Sequence, residues 1–209
     1  FVFIFSLISA WIGYTMLAVQ VIIWWSMQLA CILTIAFFKD YLNQYREKHP
    51  IKKLSPYKVW FLRFIDIVLI PTALVISFII AIYWATDVFN LSGLTWNLFR
   101  TNFIDSDKIQ ISVYSIAVVI ILWFIFNYLN LTIRDAIKLY LQRNDPSTAE
   151  ARATMYINVL QVIVWGSWLL ITLGLFKVSS TWLVVVTGGL STGIGFAMKD
   201  ILENIYYGI

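Results

Sequence analysis

The chain has 209 residues, is 61% apolar and carries only 12% charged residues, with a net charge of +4. Soluble domains carry about 25% charged residues, so this composition excludes a soluble globular protein. A single cysteine, Cys31, excludes an internal disulfide framework, and with one histidine, His49, in a basic loop there is no ligand set for zinc.

The expected fold class is an all-α membrane protein, because several apolar runs exceed the roughly 20 residues that cross a bilayer core. The first apolar block, residues 1–38, is too long for one span, since a single helix would reach about 57 Å. A span over 14–38 is expected, with 1–12 the tail of an earlier element and Gly13 the break. Phe1 to Ala10 has no basic flank or cleavage site and is not a signal peptide. The second span covers 59–85 and contains Pro71, which membrane helices tolerate with a kink. Residues 93–108 mix Leu94, Trp96, Leu98, Phe99 and Phe103 with polar residues and predict a helix lying in the interface. Further spans are expected over 109–131, 154–175 and 180–199. In domain terms, 1–92 carries two N-terminal spans, 93–108 the interfacial helix, 109–175 a helix pair, and 176–209 the last helix with its amphipathic continuation. The chain starts in apolar sequence and stops inside a helical pattern, which predicts a segment of a longer protein.

Under strict alternation, twelve of the fifteen basic residues fall on one side of the membrane. Seven lie in 39–63 and four, Arg134, Lys138, Arg143 and Arg152, follow the third span; Lys199 ends the fifth. That side is predicted to be cytoplasmic, so the last helix enters from outside and ends inside. The distribution explains the net charge without a nucleic-acid partner. The second basic group is positioned to hold anionic lipid headgroups.

The most informative stretch is Gly188 to Asp200, with four glycines in an apolar helix. At about 100° per residue from Gly188, Gly189, Gly193 and Ala197 fall at roughly 100–180°, and Ser191, Gly195 and Gly188 at roughly 300–360°. Leu190, Ile194 and Met198 form a bulky stripe near roughly 240°, opposite Thr192 and Phe196 near roughly 60°. Two small faces flank a narrow third face, with a bulky back. Such a helix suits a closed ring, each small face receiving one neighbour by small-xxx-small packing. The bulky stripe is then expected against outer helices or lipid, and Thr192 and Phe196 toward the axis.

From about residue 93 onward the chain resembles the membrane part of the small-conductance mechanosensitive channel (MscS-like) family. Gly188, Gly189, Ser191, Gly193 and Gly195 occupy the small positions of that family's pore helix. Phe196-Ala197-Met198 follows as bulky-Ala-bulky, then Lys199-Asp200 as the polar pair, then Leu202, Asn204 and Gly208. The resemblance implies a homoheptamer in the bacterial cytoplasmic membrane, opened by tension to release ions and small solutes in hypo-osmotic shock. It also implies a β-rich cytoplasmic domain after the pore helix. It makes Val185, Thr192, Phe196 and Lys199 candidate pore-lining residues, and Lys199, Asp200 and Gly208 the candidate kink region. Partners are then further copies of the chain, membrane lipids and permeating ions and solutes; no cofactor is implied. The chain departs from the family pattern at Thr192 (a pore-facing leucine), Lys199 (a glutamine) and Asp200 (the kink glycine), and carries two extra N-terminal spans.

Several other features of the sequence have ordinary explanations. Gly188 to Gly193 mimics a phosphate-binding loop, but Ile194 stands where lysine is required. Arg63 and Asp66 form an i,i+3 pair near the headgroups rather than an ion pathway. Asn90-Leu91-Ser92 and Asn130-Leu131-Thr132 match the glycosylation pattern, a common coincidence. Most of the ten tryptophans fit interface belts. A secondary transporter predicts inverted repeats and charges deep in spans, and neither is visible. A membrane enzyme predicts a cluster of His, Asp, Glu or Cys, and none is visible. The alternatives to a channel are thus a transporter or a structural subunit with a packing helix; an enzyme is not expected.

Overall fold

A computed structural model of the chain describes residues 1–48, 56–144 and 149–207. The chain forms two compact units, Phe1–Thr101 and Asn102–Ile209. Four helices are long and apolar enough to cross a bilayer, within Thr15–Lys48, Tyr57–Asp87, Val113–Arg143 and Arg152–Leu175, as expected of an integral membrane protein.

The first unit starts with α1 (Val2–Trp11) and α2 (Thr15–Lys48). The break falls at Gly13, which takes φ +100°. Its N–H bonds Ala10 C=O at 3.1 Å and the Tyr14 N–H bonds Ser9 C=O at 2.9 Å. This pair of reversed bonds is a Schellman cap, in which glycine avoids the Cβ penalty of the left-handed region. α2 runs ten residues past the expected end of the first span, to about 51 Å in length. Its apolar run ends at Phe38, but Lys39–Lys48 contains no helix breaker, and Arg46 and Lys48 in its last turn complement the helix dipole.

α3 (Pro56–Phe64) leads into a π-helical turn over Ile65–Leu69 and then α4 (Ile70–Asp87). The Ile70 N–H bonds Ile65 C=O, five residues back. Pro71 explains this local widening, since it has no N–H and its ring clashes with the carbonyl four residues earlier. α4 packs on α2 through a stripe of small buried residues, Ser77, Ala81 and Ala85, each four residues apart. Leu42, Ile65 and Ile70 form the buried apolar cluster near the other end of this seam. α4 ends in a second Schellman cap, with Asn90 at φ +59°. α5 (Ser92–Arg100) closes the unit, with the Arg100 guanidinium 4.8 Å above the Trp96 ring.

The second unit differs from expectation at its start. In place of one interfacial helix over 93–108, the helix stops at Arg100. An antiparallel hairpin follows, β1 (Asn102–Ser106) and β2 (Ile109–Ser112). Ser106 pairs with Ile109 and Asp105 with Gln110, and the register slips near Phe103. The β-branched residues Ile104, Ile109 and Ile111 favour the strands. The two-residue connection Asp107–Lys108 lacks the glycine or asparagine that signals such a turn, and neither residue takes a positive φ.

The third span is correspondingly displaced. Residues 109–112 are strand, and α6 (Val113–Asn144) runs on through the region expected to be a basic loop. Ser112 caps its start: the Ser112 and Ser115 hydroxyls accept each other's backbone N–H at 3.1 and 3.0 Å, a reciprocal box. Hydropathy falls after Leu131, but Ala136, Lys138, Leu139, Leu141, Gln142 and Arg143 are good helix formers, so the helix runs on to Asn144. α7 (Ala149–Leu175) packs against α6, with the Trp123 and Trp165 rings 6.4 Å apart across the seam. A third Schellman cap, with Lys177 at φ +48°, turns α7 into α8 (Ser180–Tyr207).

Candidate functional site: the exposed faces of the last helix

α8 is one unbroken α-helix through Tyr207, including Lys199–Asp200; Gly208 lies outside the described residues. The apolar part, Ser180–Phe196, is shorter than the four spans named above. The expected faces are physically distinct. Leu190, Ile194 and Met198 are the partly covered residues, together with Leu183 and Val186. They sit on α7, where a methyl group built on Gly166 would lie 3.4 Å from Leu190 Cδ2. Gly166 thus forms the recess that receives Leu190, a partner the reading of α8 alone did not supply.

The small residues face away from this contact. A methyl built on Gly188, Gly189, Gly193 or Gly195 would meet nothing within 4 Å. Ser191 is exposed, and the Ala197 side chain is outside the described set. The candidate pore residues are equally uncovered: Val185 is 61% and Phe196 74% exposed. The hydroxyls of Thr187, Ser191 and Thr192 each donate to the carbonyl four residues back, at 2.6, 2.9 and 2.9 Å. Over residues 187–192 these hydroxyl hydrogens are therefore paired within the helix, which lowers the desolvation cost of meeting another helix there. Lys199 Nζ lies 3.7 Å from Glu203 Oε1, one turn on. This is an i,i+4 pair, the spacing at which helical side chains meet; the Asp200 side chain lies outside the described set.

Of the basic residues placed at the headgroups, Arg134 and Lys138 share one face of α6 one turn apart, while Arg143 lies on the opposite face and Arg152 starts α7. Between them, α6, α7 and Met198 wall an apolar crevice of about 640 Å³, including Ile133, Tyr140, Tyr156 and Ile163.

Other polar positions sort differently. Asp66 bonds Arg46 of α2, twenty residues away in sequence, and Arg46 also donates to Leu62 C=O at 3.2 Å. Local spacing suggested only Arg63 for Asp66. The Gln28 side-chain amide reaches Ser77 Oγ at 3.4 Å across the α2–α4 seam, and Gln20 and Trp24 lie on the same face of α2. Asn130 is buried in mid-helix, which removes its glycosylation match, and Asn90 serves as a helix cap. Among the described residues no three His, Cys, Asp or Glu are gathered as metal ligands would be. Compared with known proteins, the chain matches no family model, no curated protein and no solved structure.

Proposed function

We propose that the chain is one subunit of a homo-oligomeric, tension-gated pore lined by α8. The observation that supports this is the sorting of α8: its bulky stripe is the side held by α7, and its glycine faces are left open. Glycine in a helix interior costs about 1 kcal/mol relative to alanine, and four such residues are explained when close backbone approach by a neighbouring copy uses them. The family resemblance of Gly188 to Gly208 suggests seven copies. The basic-residue distribution suggests that α8 ends on the cytoplasmic side, and the family resemblance suggests a bacterial inner membrane.

In that ring Val185, Thr192 and Phe196 face the axis, with Phe196 the narrowest apolar ring. A narrow apolar constriction excludes water and ions without steric closure, because the few waters inside it lose hydrogen bonds. Tension favours the wider state through the area difference between the two states. The α6–α7 pair carries lipid movement to α8 through the Leu190–Gly166 contact. Lys199 rings the inner mouth and raises local anion concentration, offset by Glu203.

The test is electron cryo-microscopy of the purified chain, with patch recording from membranes that carry it. A ring with a central pore, seven-fold by this reading, is expected. A monomer or two-fold dimer would favour a secondary transporter and remove the pore. In a ring, Phe196→Ser should raise resting ion leak on the order of tenfold, about 1.4 kcal/mol of barrier; an unchanged leak would take Phe196 out of the gate.

A further inference from the structure

α2 and α3 together wall a cleft of about 520 Å³ in the first unit, within the ~300–1,000 Å³ range of small-molecule sites. Its floor is Leu42 and Ile65, both buried in the packed cluster. Its walls are Tyr41, Tyr45, Tyr57 and Phe61, and Lys58 stands in the wall itself. The apolar run of α2 ends at Phe38, and Tyr45 lies seven residues further, about 10 Å along the helix. By composition the cleft therefore falls where the apolar stretch of α2 gives way to charged residues, the level at which a span meets the headgroups.

Charge at this end is one-sided. Residues 39–66 hold seven lysines and arginines against Asp40, Glu47 and Asp66, and Asp66 is already engaged by Arg46. Lys48 is exposed and lies within roughly 20° of Tyr41 around α2, so it overhangs the same face one turn beyond Tyr45. An aromatic-lined recess can also take a quaternary ammonium by cation–π attraction. Here Lys58 lines the recess, Lys48 lies on the same face of α2 one turn beyond it, and no carboxylate lines it, so a choline headgroup is repelled and a phosphate with net negative charge is favoured. The Tyr41 and Tyr57 hydroxyls add donors suited to phosphate oxygens.

We propose that this cleft holds one anionic phospholipid as a discrete ligand, its glycerol and upper chain on Leu42, Phe61 and Ile65 and its phosphate between Lys58 and Lys48. The inference is independent of the pore reading.

The test is native mass spectrometry of the full chain in detergent, titrated with phosphatidylglycerol or phosphatidylcholine of matched chains. One phosphatidylglycerol per subunit should survive activation and outlast phosphatidylcholine. Lys58→Gln should lower its retention about fivefold, the effect of one basic residue near an anionic headgroup. Lys58→Arg should keep it. Lys108→Gln, which removes the same charge from the exposed hairpin turn, should leave it unchanged. Equal retention of both lipids, an unaffected Lys58→Gln variant, or an equal loss in Lys108→Gln would overturn the proposal. So would displacement of the lipid by millimolar inorganic phosphate, which would make the site one for free anion.

Discussion

The two units each contain a helix with a stripe of small residues, and they treat it in opposite ways. On α4, Ser77, Ala81 and Ala85 are covered by α2, down to 1% exposure at Ala81. On α8, Gly188, Gly189, Gly193 and Gly195 have nothing within reach of an added methyl. In α4 the stripe has served its purpose inside one chain, with Gln28 hydrogen-bonded into it. In α8 the glycine stripe is left uncovered. Spacing alone does not separate a covered seam from an open one; coverage does.

The sharpest way to break this comparison is to fill both stripes. Ala81→Leu should destabilise the first unit by about 3 kcal/mol through overpacking, seen as a lower unfolding midpoint in detergent. Gly193→Leu should leave that midpoint unchanged and abolish assembly, read as a fall in particle mass. Wild-type assembly and tension response in Gly193→Leu would mean that the α8 stripe faces lipid. Next in size is Gly166→Leu. Its side chain must displace Leu190, so a loss of about 2 kcal/mol is expected, whereas Gly166→Ala, whose methyl meets only the flexible end of Leu190, should be tolerated. Gln28→Leu should cost about 1 kcal/mol, the usual scale for hydrogen bonds between membrane helices; a neutral result would assign the α2–α4 seam to packing alone. The smallest effect is expected at Lys177, whose φ of +48° is strained for a side chain with a Cβ. Lys177→Gly should raise stability by roughly 0.5 kcal/mol, the relief of that strain less the extra freedom of glycine in the unfolded chain. A drop in stability would show that the lysine side chain holds the turn.

Hydropathy made the spans legible because bilayer crossing depends on composition over about 20 residues. The same reasoning cut α2 at Phe38 and α6 at Leu131, because it measures where a helix leaves the hydrocarbon and not where it ends. The hairpin at 102–112 was hidden by its shortness and by a turn without glycine. Gly13 was legible, since only a break fits a run that long. The faces of α8 could be read because 100° periodicity is local. Arg46–Asp66, Gln28–Ser77 and Leu190–Gly166 could not, because each joins helices far apart in sequence and depends on which faces meet.

The β2 edge gives the second unit a mechanical property. The Gln110 N–H bonds Phe176 C=O at 2.8 Å, and the Ser179 N–H bonds Lys108 C=O at 3.0 Å. These two bonds clamp the residue before α8 to the strand that runs directly into α6, so both helices depart from one fixed point. α8 is 28 residues long, about 42 Å, so a rotation about Ser180 would act on it as on a lever arm. A tilt of about 10° there moves Phe196 by about 4 Å and the far end by about 7 Å, with Val185 almost still. Displacement thus grows with distance from the clamp, and spin labels at Val184 and Glu203 would report very different travel for the same rotation.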